Sequence, residues 1–406
     1  MDKKGASTLA DIGEFGLIDR IRARFPAPEG VTGIGDDCAV LPQKDGMETL
    51  VSTDMLVEGT HFLRDDIPPY RLGWKSAAVN LSDIAAMGGS PVGTFLSVAF
   101  PADLEAGWVE EFLRGYGDLC GRFDTPLLGG DTTASPDRIC INVAVLGECP
   151  AGGARRRSGA LPGDLICVTG TLGDSAAGLK AILEGVERDA DVQALIDRHY
   201  LPLPRVEEGL RLAATPGVHA MMDLSDGLGS DLRHILNASS RLGRAAAAGA
   251  EKIHSLRSET PLQQHPAEAG AKAHSPGPET SPQHPAEAGT CQLNAKIDPA
   301  AIPLSPALKR ACTRLGWDAV ALAVGGGEDY ELLFTVDPEA EKTLGVPHTV
   351  IGTICREQQI IENQEDSESL YVSNDPIIIY QDTDCQQHTA HKSFCSSSGF
   401  DHFRKG

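Results

Sequence analysis

The first part of the chain alternates apolar runs of strand length with a segment of helical periodicity. β-Branched and aromatic residues bounded by turn residues predict strands at 49–53, 93–100 and 138–147. Between the first two strands, apolar residues recur about every 3.6 positions, which predicts a helix over 71–87 that a pair of glycines ends. Asp83 lies off the apolar stripe near the end of this helix, so its side chain can face a site.

The second part of the chain follows a turn-rich stretch at 149–153 and again alternates strands with helices. A strand is predicted at 164–170 and a helix at 175–184. A short strand at 220–222 leads to Asp223, and a helix with an apolar face follows. This alternation predicts an α/β or α+β protein in which helices cover the sheets.

Two segments interrupt the pattern. Residues 245–292 are rich in Ala, Pro, Glu, Gln, His and Ser, and one short sequence occurs twice, at 265–270 and 284–289. This composition cannot bury enough apolar surface to offset the entropy of ordering, so we predict a disordered surface insertion. Residues 356–394 are acidic and Gln-rich around an apolar run at 375–380, and their degree of order is left open.

Composition limits the choice of partners. The 406 residues include 35 Lys and Arg against 57 Asp and Glu, a net charge of -22, which argues against nucleic acid or an anionic membrane surface as a partner. No apolar stretch reaches the roughly 18 residues of a membrane span, and the N-terminus lacks the apolar core of a signal peptide, so we expect a cytoplasmic protein. The ten cysteines form no Cys-x-x-Cys pair and no zinc-type cluster, which predicts reduced, mostly buried thiols.

Acidic motifs that contain or adjoin glycine are the main chemical signal. Each follows or ends an apolar run and puts carboxylates beside residues that let the backbone approach a ligand closely, as a Mg²⁺ site requires. One such motif alone is more often a turn, because Asp bonds its own backbone, but their number favours a shared metal site. The four main motifs span 33–39, 52–54, 129–133 and 223–228, and 81–83 and 325–329 add to them.

Missing motifs narrow the reaction class. The sequence has no P-loop motif, no kinase-type His-Arg-Asp or Asp-Phe-Gly motif and no Gly-x-Ser-x-Gly elbow. An array of carboxylates able to hold more than one Mg²⁺, together with glycine loops for phosphates, predicts nucleotide-dependent phosphoryl transfer. Since the protein is acidic, it can bind a polyphosphate only if cations lie between the two.

The motifs closely resemble those of the bacterial thiamine-monophosphate kinases, in the same order along the chain. The resemblance covers residues 13 to about 240, 296 to about 355, and 399–403. It is lost in the two interrupting segments and where 291–298 replaces a glycine-containing run. The matching motifs are 13–18, 33–39, 52–54 with 58–62, 78–88, 128–133, 157–160 with 162–164, 168–179, 223–228 and 326–332.

This resemblance implies a fold, an activity and a domain plan. The fold is that of the aminoimidazole-ribonucleotide synthetase superfamily: an N-terminal α/β domain, 13–150, that binds ATP and Mg²⁺ and whose mixed sheet builds a homodimer, and a C-terminal α+β domain, 151–355. Residues 395–406 would form a tail that contacts the substrate. The implied activity is ATP-dependent conversion of thiamine monophosphate to thiamine diphosphate, by direct transfer of the γ-phosphoryl group.

The resemblance also implies roles for individual positions. Several Mg²⁺ ions would be held by Asp37, Ser52, Thr53, Asp54, Asp83, Asp131, Asp223 and Asp226. ATP would be contacted by Gly130, Asp131, Arg157 and Ser225, and thiamine monophosphate by His61, Glu328 and Phe400. No residue is assigned as a general base, because the acceptor is a phosphate monoester, largely ionised at neutral pH with a second pKa of about 6.

Other interpretations stay open at this stage. Without the resemblance, His61 would be an ordinary structural histidine, Arg157 a solvated member of the Arg155–Arg157 run, and Phe400 a core residue. A sister enzyme of the superfamily with another phosphorylated substrate would share the metal aspartates and differ in the acceptor pocket. A non-catalytic nucleotide-binding protein would have lost metal carboxylates, and none is lost.

Overall fold

The computed structural model describes residues 30–32, 34–43, 46–258, 292–356 and 378–380, and five single positions between 16 and 23. Phe400, the predicted tail at 395–406 and most of 356–394 lie outside the described residues. The same holds for residues 259–291 of the predicted insertion. No helix in the described ranges is both long and apolar enough to cross a membrane.

The described residues form eleven strands and nine α-helices. The strands are β1 (Ala39–Pro42), β2 (Met47–Val57), β3 (Ser90–Pro101), β4 (Leu127–Ser135), β5 (Cys140–Pro150), β6 (Leu165–Val168), β7 (Val218–Asp223), β8 (Leu293–Ile297), β9 (Leu332–Val336), β10 (Thr349–Arg356) and β11 (Ile378–Tyr380). The helices are α1 (Pro69–Ala86), α2 (Ala106–Arg122), α3 (Asp174–Leu183), α4 (Ala190–Tyr200), α5 (Val206–Ala214), α6 (Leu228–Ser258), α7 (Pro306–Leu315), α8 (Ala319–Gly325) and α9 (Pro338–Glu341).

The first sheet has the strand order β1-β2-β5-β3-β4 and is antiparallel except for the parallel pair β3 and β4. Its two faces differ because side chains alternate along each strand. On the inner face, Leu96, Val143 and Val145 are buried in a core shared with α1 and α2. On the outer face, Met55 and Phe95 are exposed.

The second sheet is also mixed, in the order β11-β8-β10-β6-β9-β7. Its strands β6 and β7 are buried with the apolar face of α6, where Leu228, Leu232 and Ile235 are almost inaccessible to solvent. Helix α1 packs on β2 and β5 of the first sheet and also contacts β7 of the second. The polar end of α1 therefore lies where the two sheets approach each other.

The predicted α/β class and most predicted elements are confirmed. The helix expected at 71–87 corresponds to α1, and the strands expected at 49–53 and 93–100 lie within β2 and β3. The strand expected at 138–147 overlaps β5, which begins at Cys140. Seven of the ten cysteines are described, all free, and six of these are buried.

Two local features differ from the expectation. Helix α6 continues to Ser258, so residues 245–258, assigned to a disordered insertion, are helical. The Ala-rich run at 245–250 explains this, because alanine has the highest helix propensity. The glycine motif at 129–133 is part of the edge strand β4, which the sequence analysis did not predict because paired glycines disfavour strands.

Candidate active site

Three predicted metal ligands meet although they are far apart in the sequence. Asp37 precedes β1, Asp83 lies in the last turn of α1, and Asp223 is the last residue of β7. One carboxylate oxygen from each lies within 4.8 Å of the others. Three carboxylates at this separation form the oxygen-rich cluster that a hard divalent cation requires.

Neighbouring hydroxyl groups and an arginine orient these carboxylates. Ser52 on β2 donates a hydrogen bond to Asp83 Oδ2 at 2.5 Å, and Ser82 donates to Asp223 Oδ2 at 2.6 Å. Arg157 donates from Nη2 to Asp37 Oδ1 at 2.7 Å. The carboxylates of the cluster are therefore preorganised by hydrogen bonds, unlike solvated aspartates on a protein surface.

The protonation equilibria show that the cluster is unfavourable without a cation. Burial, followed by the charge of Asp37, raises the pKa of Asp223 to about 8. The same two causes raise the pKa of Asp54 to about 6. Burial and the neighbouring aspartates raise the pKa of Asp83 well above its ordinary value. A bound Mg²⁺ would remove this mutual repulsion, so the donor set and its electrostatics both fit a metal site.

These shifts predict how the stability of the metal-free protein depends on pH. With a folded-state pKa of about 8 against an ordinary value of 3.8, Asp223 binds more proton in the folded state throughout that interval. Stability must then fall as pH rises through it. We expect the free energy of unfolding in EDTA to decrease between about pH 6.5 and about pH 8.5 more steeply for wild type than for Asp223→Asn.

Urea denaturation at several pH values measures this slope. The interval starts at about pH 6.5 because buried His199 and half-buried His234 have lowered pKa values, about 3 and about 4, and contribute an opposite slope below it. Saturating Mg²⁺ should reduce the difference between wild type and variant. Parallel slopes in EDTA would show that Asp223 is not held in a repulsive cluster.

Arg157 is not a solvated member of an arginine run. Its side chain is 21% exposed and pairs with Asp37, and its backbone N–H donates to Asp36 Oδ1 at 2.7 Å. Burial opposes the positive charge, but the attraction of Asp37 outweighs it and the pKa of Arg157 is raised. Arg157 is therefore a fixed positive charge at the edge of the carboxylate cluster.

Asp226, a further predicted metal ligand, belongs to a second acidic group. It lies within ligand distance of Asp231 and His234 on α6. Asp231 is fully buried, and its Oδ2 accepts the backbone N–H groups of Asp226 and Gly227 at 3.2 and 3.1 Å. Asp231 thereby fixes the loop that carries Ser225 and Asp226.

Predicted substrate contacts Glu328 and His61 lie close enough to interact. The charge of His61 is among the influences on the Glu328 carboxylate. Glu328 has a left-handed backbone with φ of 64°, a conformation rare outside glycine, and its N–H donates to the Ser225 carbonyl at 2.8 Å. Such strain concentrates at functional sites. His61 accepts the Val57 N–H through Nδ1 at 3.0 Å, which leaves Nε2 as its protonated nitrogen.

Two predicted metal ligands, Thr53 and Asp131, do not reach this cluster within one chain. Strand register places the Asp131 side chain on the outer face of the first sheet, with Ser97 and Met55. Thr53 is also on that face, and its hydroxyl bonds the Val143 carbonyl. Asp54 lies on the inner face of β2. Strand β4, which carries Asp131, is three strands away from β2, or about 14 Å at the usual strand spacing, so Asp131 is far from Asp54 in the same chain.

Gly130 explains how the glycine motif approaches β3 so closely. Its φ is 155°, and a Cβ at this position would lie 1.8 Å from the Leu96 carbonyl oxygen. Any side chain here would therefore push β4 away from β3. The exposed Asp131 next to it keeps its place on the outer face only because the preceding residue is glycine.

The sequence analysis missed some polar residues of the site. Lys75, Asp231 and Asp36 were not singled out, although each contacts a predicted site residue or its loop. A signal existed for the first two: Lys75 follows buried Leu72 by three positions, and Asp231 directly precedes buried Leu232. A charged residue on the apolar side of a helix is costly to bury, so it usually has a dedicated partner.

Comparisons with known proteins show which proteins this chain is similar to. The family model for AIR synthase related protein, N-terminal domain, matches residues 35–149. Thiamine-monophosphate kinase of Salmonella typhimurium is 38% identical, over 84% of this chain and 90% of that protein. Its counterpart in Escherichia coli strain K12 is 39% identical over the same shares. A solved structure, AaThiL complexed with AMPPCP and TMP, has a TM-score of 0.69 at 31% identity and covers 86% of this chain and 93% of that chain.

Proposed function

Since the chain belongs to the thiamine-monophosphate kinase family and is an enzyme of that family, we propose that it transfers the γ-phosphoryl group of ATP directly to thiamine monophosphate, forming thiamine diphosphate. The observation that carries this proposal is the convergence of Asp37, Asp83 and Asp223 from three separate segments. The bound ligands of AaThiL, a nucleotide analogue and TMP, support the choice of the two substrates. The cytoplasmic location remains a prediction.

The main task of the site is to bring two anions together. Asp37, Asp83 and Asp223, with Ser52 and Asp54 beside them, would hold Mg²⁺, and Asp226 would hold a further ion. Bound Mg²⁺ would neutralise charge on both phosphates and so permit in-line attack. The acceptor phosphate is already ionised at neutral pH, so the protein has no proton to remove.

The remaining predicted residues would bind and orient the substrates. Arg157 and the Ser225 loop border the carboxylate cluster, where they would contact the ATP phosphates. His61 and Glu328 would contact thiamine monophosphate, and the backbone of Glu328 is hydrogen-bonded to the same loop. Phe400, outside the described residues, keeps its predicted role as a flat surface against the thiamine rings.

We also propose a homodimer built on the outer face of the first sheet. Met55 is 57%, Leu128 53% and Phe95 39% exposed on or beside this face. Large apolar side chains exposed on one sheet face are typical of a subunit interface. A second copy would also cover Thr53 and Asp131, the two predicted ligands that one chain does not bring to its own cluster. Residues 13–150 would then be the dimerisation domain and 151–355 the C-terminal domain.

The first test is the requirement for both substrates and metal. We expect ADP release only when Mg²⁺ and thiamine monophosphate are present together, because the cluster is suited to cations lying between two phosphates. A coupled assay of ADP release measures this, with EDTA and with free thiamine as the two controls. Equal turnover with free thiamine would contradict the acceptor assignment. Turnover only with another phosphate monoester would indicate a sister enzyme, and none with any acceptor a binding protein.

A further inference from the structure

A buried lysine, Lys75, contacts Glu328, which is predicted to bind the substrate. Lys75 lies in the middle of α1, its side chain is 1% exposed, and its Nζ donates to Glu328 Oε2 at 2.9 Å. His199 of α4 completes the group: its Nε2 is 3.4 Å from Lys75 Nζ, and its Nδ1 is 3.0 Å from Ser175 Oγ. Lys75 and His199, from two different helices, therefore meet at one carboxylate oxygen of Glu328, and Ser175 holds His199 from a third helix.

The protonation states in this group follow from its geometry. The lysine ammonium has donors only, so His199 must present the lone pair of Nε2 to it and carry its proton on Nδ1. Burial first, and then the Lys75 charge, lowers the pKa of His199 to about 3, so the ring is neutral at physiological pH. The Nδ1 proton then points toward Ser175 and toward Glu328 Oε2, which is 3.3 Å away.

Glu328 is held as an anion by these neighbours. Burial alone would raise its pKa, but the charge and the hydrogen bond of Lys75, together with the neighbouring histidines, outweigh it, and the pKa of Glu328 is lowered. The hydrogen bond from Lys75 and the contact with His199 both use Oε2 of Glu328. Its side chain is 28% exposed, in contrast to the fully buried lysine. The carboxylate is thus fixed at Oε2 by the protein, while the side chain keeps a partly exposed edge that a ligand can reach.

A purely structural ion pair would look different. Elsewhere in this molecule, Glu331 is fully buried and is bound by Arg198 and Arg205, which leave no accessible carboxylate edge. Glu328 has one buried cationic partner instead, on a backbone strained at φ of 64°. Glu328 also lies near the carboxylate cluster. Burial first, and then the charges of Glu328, Asp54 and Asp223, raise the pKa of the same hydroxyl group, that of Tyr330.

We propose that Lys75 is a positioning residue for acceptor binding: it holds the Glu328 carboxylate so that the accessible edge takes the positive charge of the acceptor, the cationic thiazolium ring of thiamine monophosphate. This inference rests on the proposed function. It assigns charge recognition of the acceptor to an element, α1, that also supplies Asp83 to the metal cluster. The same helix would then fix the distance between the cationic ring and the reacting phosphates.

The test compares two acceptors in four proteins. The acceptors are thiamine monophosphate and the monophosphate of a thiophene isostere of thiamine, which has the same shape without the ring charge. The proteins are wild type, Lys75→Met, Glu328→Gln and the double variant. Methionine keeps the length and helix propensity of lysine, and the double variant removes both charges, so it avoids an unpaired buried carboxylate.

Wild type should have a KM for the neutral isostere at least about tenfold above that for thiamine monophosphate, the range expected for loss of one charged contact. In Lys75→Met and Glu328→Gln this ratio should fall to within about twofold, with the KM for ATP changed by less than about twofold. The double variant should match Glu328→Gln, because Lys75 acts only through Glu328. Arg205→Met, at the Glu331 pair, serves as control: it should lower the melting temperature and leave the ratio unchanged.

Two results would overturn the inference. One is an unchanged KM ratio in Lys75→Met, including the case in which both KM values rise equally. The other is additive effects of the two substitutions in the double variant. If Lys75→Met fails to fold, the double variant is compared with Glu328→Gln alone. A different KM ratio in these two proteins would show that Lys75 acts other than through Glu328, and would overturn the inference. Absence of turnover by wild type with thiamine monophosphate would instead overturn the proposed function. The two failures are therefore distinguishable in one set of assays.

Discussion

Replacing Asp223 by asparagine is expected to reduce kcat by at least about 100-fold, equivalent to roughly 2.7 kcal/mol of transition-state stabilisation. The metal-free variant should nevertheless be at least as stable as wild type. Asp223 is 2% exposed beside Asp37 and Asp83, and its raised pKa reflects the cost of placing a charge there. Asparagine removes that charge and can still accept the hydrogen bond from Ser82.

Thermal melts in EDTA, measured beside steady-state rates, check this expectation. Asp164 provides a matched control, since it is also a buried aspartate but lies outside the cluster. It accepts the Leu161 N–H at 2.8 Å and contacts His219. Asp164→Asn should lose on the order of 1 kcal/mol of stability, typical of a hydrogen-bonded turn residue, with kcat largely kept. A destabilised but active Asp223→Asn would remove this residue from the metal site.

The second large effect concerns Asp131, which lies on the outer face of the sheet. If a partner subunit uses it, Asp131→Asn should lower kcat by at least about 100-fold and leave the melting temperature unchanged, because the side chain is exposed. Dimerisation itself should persist, since the apolar residues of the face remain. Sedimentation of wild type and variant, together with their rates, measures both quantities.

Mixing inactive subunits provides the decisive control for Asp131. A dimer of one Asp131→Asn chain and one Asp223→Asn chain contains one intact site only if the two residues meet across subunits. After co-refolding of equal amounts, random pairing should then restore about a quarter of wild-type activity. No recovery would show that Asp131 and Asp223 act in the same chain, and a monomeric wild type would contradict the dimer itself.

Several elements could be predicted because their signals are local. The periodicity of α1 and the apolar runs of β2, β3 and β5 depend on residues within about ten positions of each other. The acidic motifs likewise carry their ligand type in their own residues. Convergence of Asp37, Asp83 and Asp223 was expected from the number of motifs, and the structure shows which three meet.

Other parts of the site depend on contacts between distant segments. Lys75 was not found because its partner Glu328 lies 253 positions away. Asp231 was not found because a lone charged residue on a helix has many uses, although its partner Asp226 is only 5 positions away. Thr53 and Asp131 were grouped with the other ligands because the family resemblance implies that role for their positions. Register along the sheet separates them, since one step along a strand turns a side chain to the opposite face.

The amino-acid sequence by itself determined the family and most of the elements, since these follow from residue identity, motif order and short-range periodicity. From its acidic motifs it also predicted carboxylate oxygens as the metal ligands. Only the tertiary structure decided which carboxylates share a site, which face the outer surface, and which buried cation holds Glu328. The physical reason is that electrostatic and coordination energies depend on distances of a few ångströms. Those distances are set by sheet register and helix packing, which bring together segments that are far apart along the chain.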